Sequence, residues 1–245
     1  MSETHEFPDL VTASDDYQSR FDGAVGKWLL QCQDRCTREL LRGRSLNILE
    51  VGGGHGQNVE VITAAGHQLT VLGSDQRTEK RIADAVASRR VAFTTGNFLS
   101  LPFENRSFDA VISYRTLCHM HSLDRFMDEL ARVADRYIIV DFPVRLSCNA
   151  LYGLTFWAKR RVERNTREFR IFSEQALCGE FRERGFAVDR TCKQFFLPMV
   201  VHRMLGRRGL SETVERIARG CALTRIFGSP VVACFERASQ SKRGR

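Results

Sequence analysis

The side chains of this chain that are suited to chemistry lie in four short stretches, and the first is Glu50 at the mouth of a glycine turn. Glycines at 52, 54 and 56 follow it. They let a backbone bend sharply and let a ligand come close without meeting a Cβ. The spacing is Glu-x-Gly-x-Gly-x-Gly, and Gln57 stands where a dinucleotide fingerprint needs its third glycine. A pyrophosphate wants bare amides and positive potential, so Glu50 would repel it; a ligand carrying positive charge would be drawn to the same carboxylate. The second stretch ends at Asp75, nineteen residues beyond Gly56. A carboxylate there can accept both hydroxyls of a ligand diol, or it can cap the segment that begins near Arg77. The third is Asn97-Phe98, an amide able both to accept and to donate, followed by a backbone N–H. The fourth runs from Ser113 through Tyr114 and Arg115 to His119 and His121. Imidazole titrates near neutrality, so the histidines are the candidate bases, with His119 the better placed. Tyr114 and Arg115 are candidates for orienting a second substrate.

These residues need elements to hold them at one edge. An apolar run from Leu46 to Val51 reads as a strand leading into the glycine turn, and Val59 to Ala65 reads as the amphipathic helix that follows. Further strands are expected at Gln68 to Gly73, Val91 to Thr95, Phe108 to Ser113, Tyr137 to Phe142, Phe186 to Pro198 and Pro230 to Phe235, with helices at Leu123 to Val133 and Ser173 to Gly185. Phe21, Val25, Trp28, Leu29, Cys32, Cys36 and Leu40 recur at helical spacing, which predicts one helix over 17–41. Strands alternating with helices imply an α/β domain, and ligands of open α/β sheets sit at the carboxyl ends of the strands. Glu50, Asp75, Asn97 and Ser113 all fall at such ends.

The run Gly96-Asn97-Phe98, Leu101-Pro102-Phe103, Ser107-Phe108-Asp109 and the apolar strand after it, taken with the glycine turn and Asp75, resembles the class I S-adenosylmethionine-dependent methyltransferases of the small-molecule and lipid branch. The resemblance covers residues 40–142 well and the remainder in outline. It implies a Rossmann-like, seven-stranded, mostly parallel sheet with helices on both faces and the last strand antiparallel. It implies S-adenosyl-L-methionine as cofactor and transfer of its methyl group to a small-molecule or lipid-like acceptor. It assigns Glu50, Gly52, Gly54, Gly56, Asp75, Asn97, Phe98 and Ser113 to the cofactor, Asp75 to its ribose and Asn97 to its adenine, and it leaves His119 as the catalytic candidate. Asn97 replaces the usual Asp, Cys118-His119 replaces a pair of histidines, and the Pro-Gly-Gly turn after the helix at 123–133 is missing. In this family a helix before the first strand covers the cofactor, and Tyr17 and Phe21 are its ligand-touching or core aromatics.

Three other functions fit these residues less well. A nicotinamide oxidoreductase is opposed by Glu50 and Gln57. A nucleic-acid methyltransferase is opposed by Ser113-Tyr114-Arg115-Thr116, which is not the Asn/Asp-Pro-Pro-aromatic signature, and by the lack of any cysteine following a proline. A noncatalytic module of the same fold is favoured only by the change at Asn97.

A chain of 245 residues with 43% hydrophobic and 27% charged residues can bury one sizeable core. The polar, acidic residues 1–16 read as a disordered lead, residues 17–238 as one domain, and the basic tail 239–245 as disordered. No metal site is expected. Eight scattered cysteines without a Cys-x-x-Cys, and no secretory pattern at the start, read as free thiols in a cytoplasmic protein. The net charge of +8 is uneven: residues 1–143 carry 16 basic and 20 acidic side chains, residues 144–245 carry 21 and 9. The basic half contains two segments outside the common pattern, 145–172 and 199–228. Their arginines, aliphatics and aromatics suggest an acceptor lid, an amphiphilic acceptor and peripheral contact with an anionic membrane.

Overall fold

The computed structural model describes residues 5–41, 45–147 and 170–238. Seven strands form one sheet: β1 (Asn47–Val51), β2 (Gln68–Gly73), β3 (Ala92–Thr95), β4 (Phe108–Ser113), β5 (Ala134–Phe142), β6 (Phe186–Phe195) and β7 (Ser229–Arg237). Their order is β3-β2-β1-β4-β5-β7-β6. Strands β1 to β5 pair in parallel, and β7 runs antiparallel to both neighbours. The seven-stranded sheet with an antiparallel final strand is therefore as expected. Because β7 reverses twice, β6 runs the same way as β1, and the carboxyl ends of β1, β2, β4, β5 and β6 share one edge.

The two faces follow from strand alternation. Ile48, Val71, Ala110, Ile112 and Ile139 point to one side, where they meet Leu40 of α3 (Gly23–Leu40) and Val59 and Ile62 of α4 (Val59–Thr63). Leu49, Val51, Val111, Ile138 and Val140 point to the other, against Phe126 and Leu130 of the helix Leu123–Val133. Glu50 lies between Leu49 and Val51 and so faces the α3–α4 side.

Four expectations are corrected. The described residues of the lead hold two short helices, α1 (Asp9–Thr12) and α2 (Asp15–Ser19). Its carboxylates satisfy amides and cations elsewhere: Glu6 accepts the N–H groups of His121 and Ser122, both at 2.8 Å, buried Asp9 accepts the Ser74 N–H at 3.0 Å and its hydroxyl, and Asp15 pairs with Lys80 and Arg81. The single helix over 17–41 is broken between α2 and α3. Gly23 takes φ +70°, and the chain at Phe21 folds back so tightly that a Cβ on Gly26 would enter its backbone. Strand β5 begins at Ala134, pairing with Phe108 across an irregularity, rather than at Tyr137. Finally, the cysteines are not all free thiols: Cys36 and Cys192 form a disulfide between α3 and β6. Sequence spacing carries no trace of a pair 156 residues apart.

Most of the segment 145–172 and all of 239–245 lie outside the described residues. The segment 199–228 is three helices. Among the described residues no helix is long and apolar enough to cross a membrane, and no group of His, Cys, Asp and Glu is arranged to hold a metal.

Candidate active site

The turn after β1 is built for close approach. Gly52 and Gly56 take φ +82° and +70°, where L-residues are strained, and a short 3-10 turn, Gly53–His55, links them. Gly52 donates its N–H to Leu72 O at 2.9 Å, which locks the turn onto β2. A Cβ on Gly54 would stand 2.6 Å from the Thr78 Cβ and 2.7 Å from its carbonyl oxygen. A Cβ on Gly53 would collide with the Glu50 carboxylate.

Glu50 is fully buried beneath this turn. Asn58 Nδ2 donates to Glu50 Oε1 at 2.6 Å, while Oε2 has no hydrogen-bond partner. Burial pushes the carboxyl up to about 7, against the Asn58 hydrogen bond and the nearby positive charge of Arg115. His55 lies 3.7 Å from Glu50 through Nε2 and accepts the Gln57 N–H through Nδ1. Burial, and then Arg115, drives this imidazole well below its usual range, so it stays neutral with its proton on Nε2.

Arg115 closes the arrangement from the tip of β4. It holds φ +60°, and its N–H donates to Asp141 Oδ1 at the end of β5, 2.5 Å away. Its guanidinium lies 4.6 Å over the Phe21 ring and 5.8 Å over Tyr17. Nη2 donates to Gln33 Oε1 at 2.6 Å and Nη1 to Gln57 Oε1. Gln33 Nε2 in turn donates to Asn58 Oδ1 at 3.2 Å, and Asn58 donates to Glu50. The cation and the carboxylate are thus joined through two amides rather than paired directly. The relay leaves Glu50 Oε2, His55 Nε2 and Gln57 Nε2 buried without hydrogen bonds. A buried carboxyl and a part-buried guanidinium held apart, with open polar atoms beside a bare glycine turn, suit a ligand bearing both an ammonium and a carboxylate.

The other expected residues are spread along the same edge in different states. Asp75 caps the turn that follows β2, accepting the Arg77 N–H at 2.8 Å and pairing with its guanidinium at 2.7 Å. Those Arg77 contacts, side chain first, hold its carboxyl down at about 2. The cap reading is therefore realised, and the part-exposed carboxylate stays at the strand tip. Asn97 uses Oδ1 to accept the Leu99 N–H at 3.0 Å, so its oxygen is committed to its own loop. The Phe98 ring is fully buried beside Gly52. Ser113 donates to Val51 O at 2.9 Å and ties β4 to β1 from within the core. His119 ends the short turn Leu117–His119 after β4 and is half-buried. Tyr114 points away from the edge, its hydroxyl 3.0 Å from Thr37 Oγ1 on α3. Only Arg115 of that pair joins Gln33 and Gln57, since the left-handed backbone at Arg115 turns the chain just after β4.

Gln33, His55, Asn58 and Asp141 complete the site, and none of them was a candidate from the sequence. Asp141 had the clearest trace, an acidic residue at the carboxyl end of an apolar strand. Gln33 lies in a helix 82 residues before its partner Arg115, and no local pattern connects the two.

Residues 49–136 match the family model described as "Methyltransferase domain". A probable S-adenosylmethionine-dependent methyltransferase of Mycobacterium tuberculosis is 24% identical over 197 residues, 80% of this chain and 68% of that protein. A solved Thermotoga maritima methyltransferase, described as a possible histamine N-methyltransferase, aligns with a TM-score of 0.64 at 19% identity, covering 91% of this chain and 95% of that one. Magnesium protoporphyrin IX methyltransferase of Synechocystis, solved with bound S-adenosylhomocysteine, aligns with a TM-score of 0.60 at 16% identity over 91% and 93%. With the strand order and the glycine turn, these matches identify residues 49–136 as the methyltransferase domain of an enzyme that has the class I S-adenosylmethionine-dependent methyltransferase fold.

Proposed function

We propose that the chain methylates a small-molecule or amphiphilic acceptor, and that the cofactor's amino-acid end lies between Glu50 and Arg115. The amide relay separating these two charges is the observation that carries this reading. When bound, the cofactor supplies a methyl group already activated on a sulfonium for in-line displacement. Glu50 Oε2 receives the ammonium, and Arg115 with Gln57 Nε2 receives the carboxylate. Gly52, Gly54 and Gly56 keep the approach clear, while Phe98 and Ser113 brace the floor of the turn. Asp75 accepts the ribose hydroxyls while still capping its turn. The Asn97 amide and the Phe98 N–H take the adenine edge, with Asn97 contributing chiefly its Nδ2 donor because Oδ1 serves the loop.

On the acceptor side, His119 takes up the acceptor's proton where one must leave. Tyr17 and Phe21 line the approach beside Arg115. The helices of segment 199–228 stand at the same edge and form part of the acceptor's surroundings. A cytoplasmic setting completes the proposal, with the Cys36–Cys192 disulfide the exception to the reduced thiols that such a setting favours. Calorimetry of S-adenosylmethionine, S-adenosylhomocysteine and NAD tests it. The two sulfur ligands bind and NAD does not; Asp75→Asn, which keeps a capping side chain, weakens them on the order of tenfold. Binding of NAD alone, or unchanged affinity in the variant, overturns the assignment.

A further inference from the structure

After β6 the chain forms α8 (Met199–Leu205), α9 (Arg208–Gly220) and α10 (Leu223–Phe227), with α5 (Ala83–Ala87), α6 (Leu123–Val133) and α7 (Glu174–Glu183) preceding them. Helix α9 is amphipathic, yet it is turned inside out. Its inward stripe is Ser211, Glu215 and Ala218, all buried. Its outward stripe is Leu210, Val214 and Ile217, with Cys221 just beyond the helix. Leu210 is 45% exposed and Ile217 61%, whereas an ordinary surface helix buries such a row.

A polar clasp explains the inversion. Glu215 accepts the N–H groups of Phe196 and Leu197, both at 3.0 Å, and lies 3.0 Å from His202 Nε2. Burial opposes the charged form of Glu215, but these partners outweigh it and hold the carboxyl below its usual range. His202 stacks edge-on to Trp28 of α3, with ring centres 5.1 Å apart. The helix is therefore pinned by its polar side, and its aliphatic side is left facing out.

The exposed charge of this segment is almost all positive. Arg207, Arg208, Arg216, Arg219 and Arg225 are all exposed. Glu212 and Glu215 are the only acidic residues of 199–228; Glu212 pairs with Arg208, and Glu215 is buried in the clasp. Arg207, Arg216 and Arg225 have no carboxylate partner among the described residues. Of the eight large apolar side chains most exposed among the described residues, four lie here: Met204, Leu210, Ile217 and Ile226. Exposed aliphatic residues and exposed arginines on different flanks of one helix, without an exposed Trp or Tyr anchor, make the composition of a helix lying in a lipid interface rather than of a protein hot spot. Arginine stems extend the apolar surface while their heads reach phosphates. A second copy of the chain would set these arginines against one another.

We infer that α9, with its flanking helices, is a docking face for an anionic lipid surface. It follows the carboxyl end of β6 and packs against α3, the helix that carries Gln33, and the binding is independent of which acceptor the candidate active site takes. Co-sedimentation with phosphatidylcholine vesicles, with and without phosphatidylglycerol, tests this on the full chain. The protein binds the anionic vesicles on the order of tenfold more tightly than the neutral ones, and high salt weakens that binding. Leu210→Ser with Ile217→Ser lowers it on the order of tenfold, and so, separately, does Arg207→Gln with Arg216→Gln and Arg225→Gln. Both sets change exposed side chains, and an unchanged thermal midpoint and unchanged S-adenosylhomocysteine affinity verify the fold. Unaltered binding by either variant, equal binding to neutral vesicles, or no vesicle binding overturns the inference. Retention on soluble polyglutamate without vesicle binding, or a doubling of mass with concentration, assigns the face to an acidic protein or to a second copy instead.

Discussion

Glu50 couples stability to ligand binding. Its carboxyl ordinarily titrates near 4.5 and is pushed up to about 7 in the fold. Between those values the folded chain holds a proton that the unfolded chain releases, so this group's contribution to stability falls as pH rises through the window and is constant above it. For a fully buried side chain the shift corresponds to about 3 kcal/mol. Urea unfolding of Glu50→Gln should therefore match the unaltered protein below pH 4.5 and exceed it by about that amount above pH 7. A flat difference across the range would contradict the shift. An ammonium beside Glu50 favours its ionised form, so S-adenosylhomocysteine binding near pH 6 should release a proton, seen as a dependence of binding heat on the buffer. Arg115 has the complementary role. Arg115→Gln should lower affinity for S-adenosylhomocysteine roughly ten- to a hundredfold, the worth of a charge-assisted hydrogen bond. It should leave 5′-methylthioadenosine, which lacks the amino-acid end, almost unaffected. Equal loss for both ligands would place the arginine's role in the fold instead.

At the scale of elements, the glycine turn is bounded by neighbours that cannot yield. The Cβ of Gly54→Ala would meet Thr78 Cβ and its backbone oxygen, at 2.6 and 2.7 Å. Overpacking of this kind costs about 1–3 kcal/mol, and it moves the turn from which the ligand hangs. The variant should unfold at lower urea concentration and bind S-adenosylhomocysteine poorly; a variant that binds normally would mean that the turn relaxes without cost. The N-terminal helices α1 and α2 belong to the same edge, since Glu6 clasps the loop after β4 and Asp9 the tip of β2. The acidic composition that reads as disorder is what lets them dock, because strand ends present unpaired N–H groups.

At the scale of the whole molecule, the Cys36–Cys192 disulfide closes the first helix of the core onto a strand 156 residues later. A crosslink over so long a loop restricts the unfolded chain most, and its loss typically costs about 2–4 kcal/mol. Reductant should lower the unfolding midpoint accordingly, while S-adenosylhomocysteine binding persists, because neither cysteine belongs to the Glu50–Asn58–Gln33–Arg115 relay. An unchanged midpoint would show that the link adds nothing to stability.

The glycine turn, the alternation of the central strands and the acidic tip of β2 were legible because each is local. Turn chemistry and the strand period act within a few residues, and they determine where the crevice opens. The sequence also named Arg115, Tyr17 and Phe21 without saying that one would lie over the others. Tertiary structure alone decided the partners. Arg115 meets Gln33 across 82 residues, Asp9 meets Ser74 across 65, and Cys36 meets Cys192 across 156. It also decided that α9 buries its polar stripe, since the Glu215 clasp needs amides from the end of β6 and a histidine from α8. Periodicity marks a helix as amphipathic, but which side faces the protein is settled by what the neighbouring elements offer to bury.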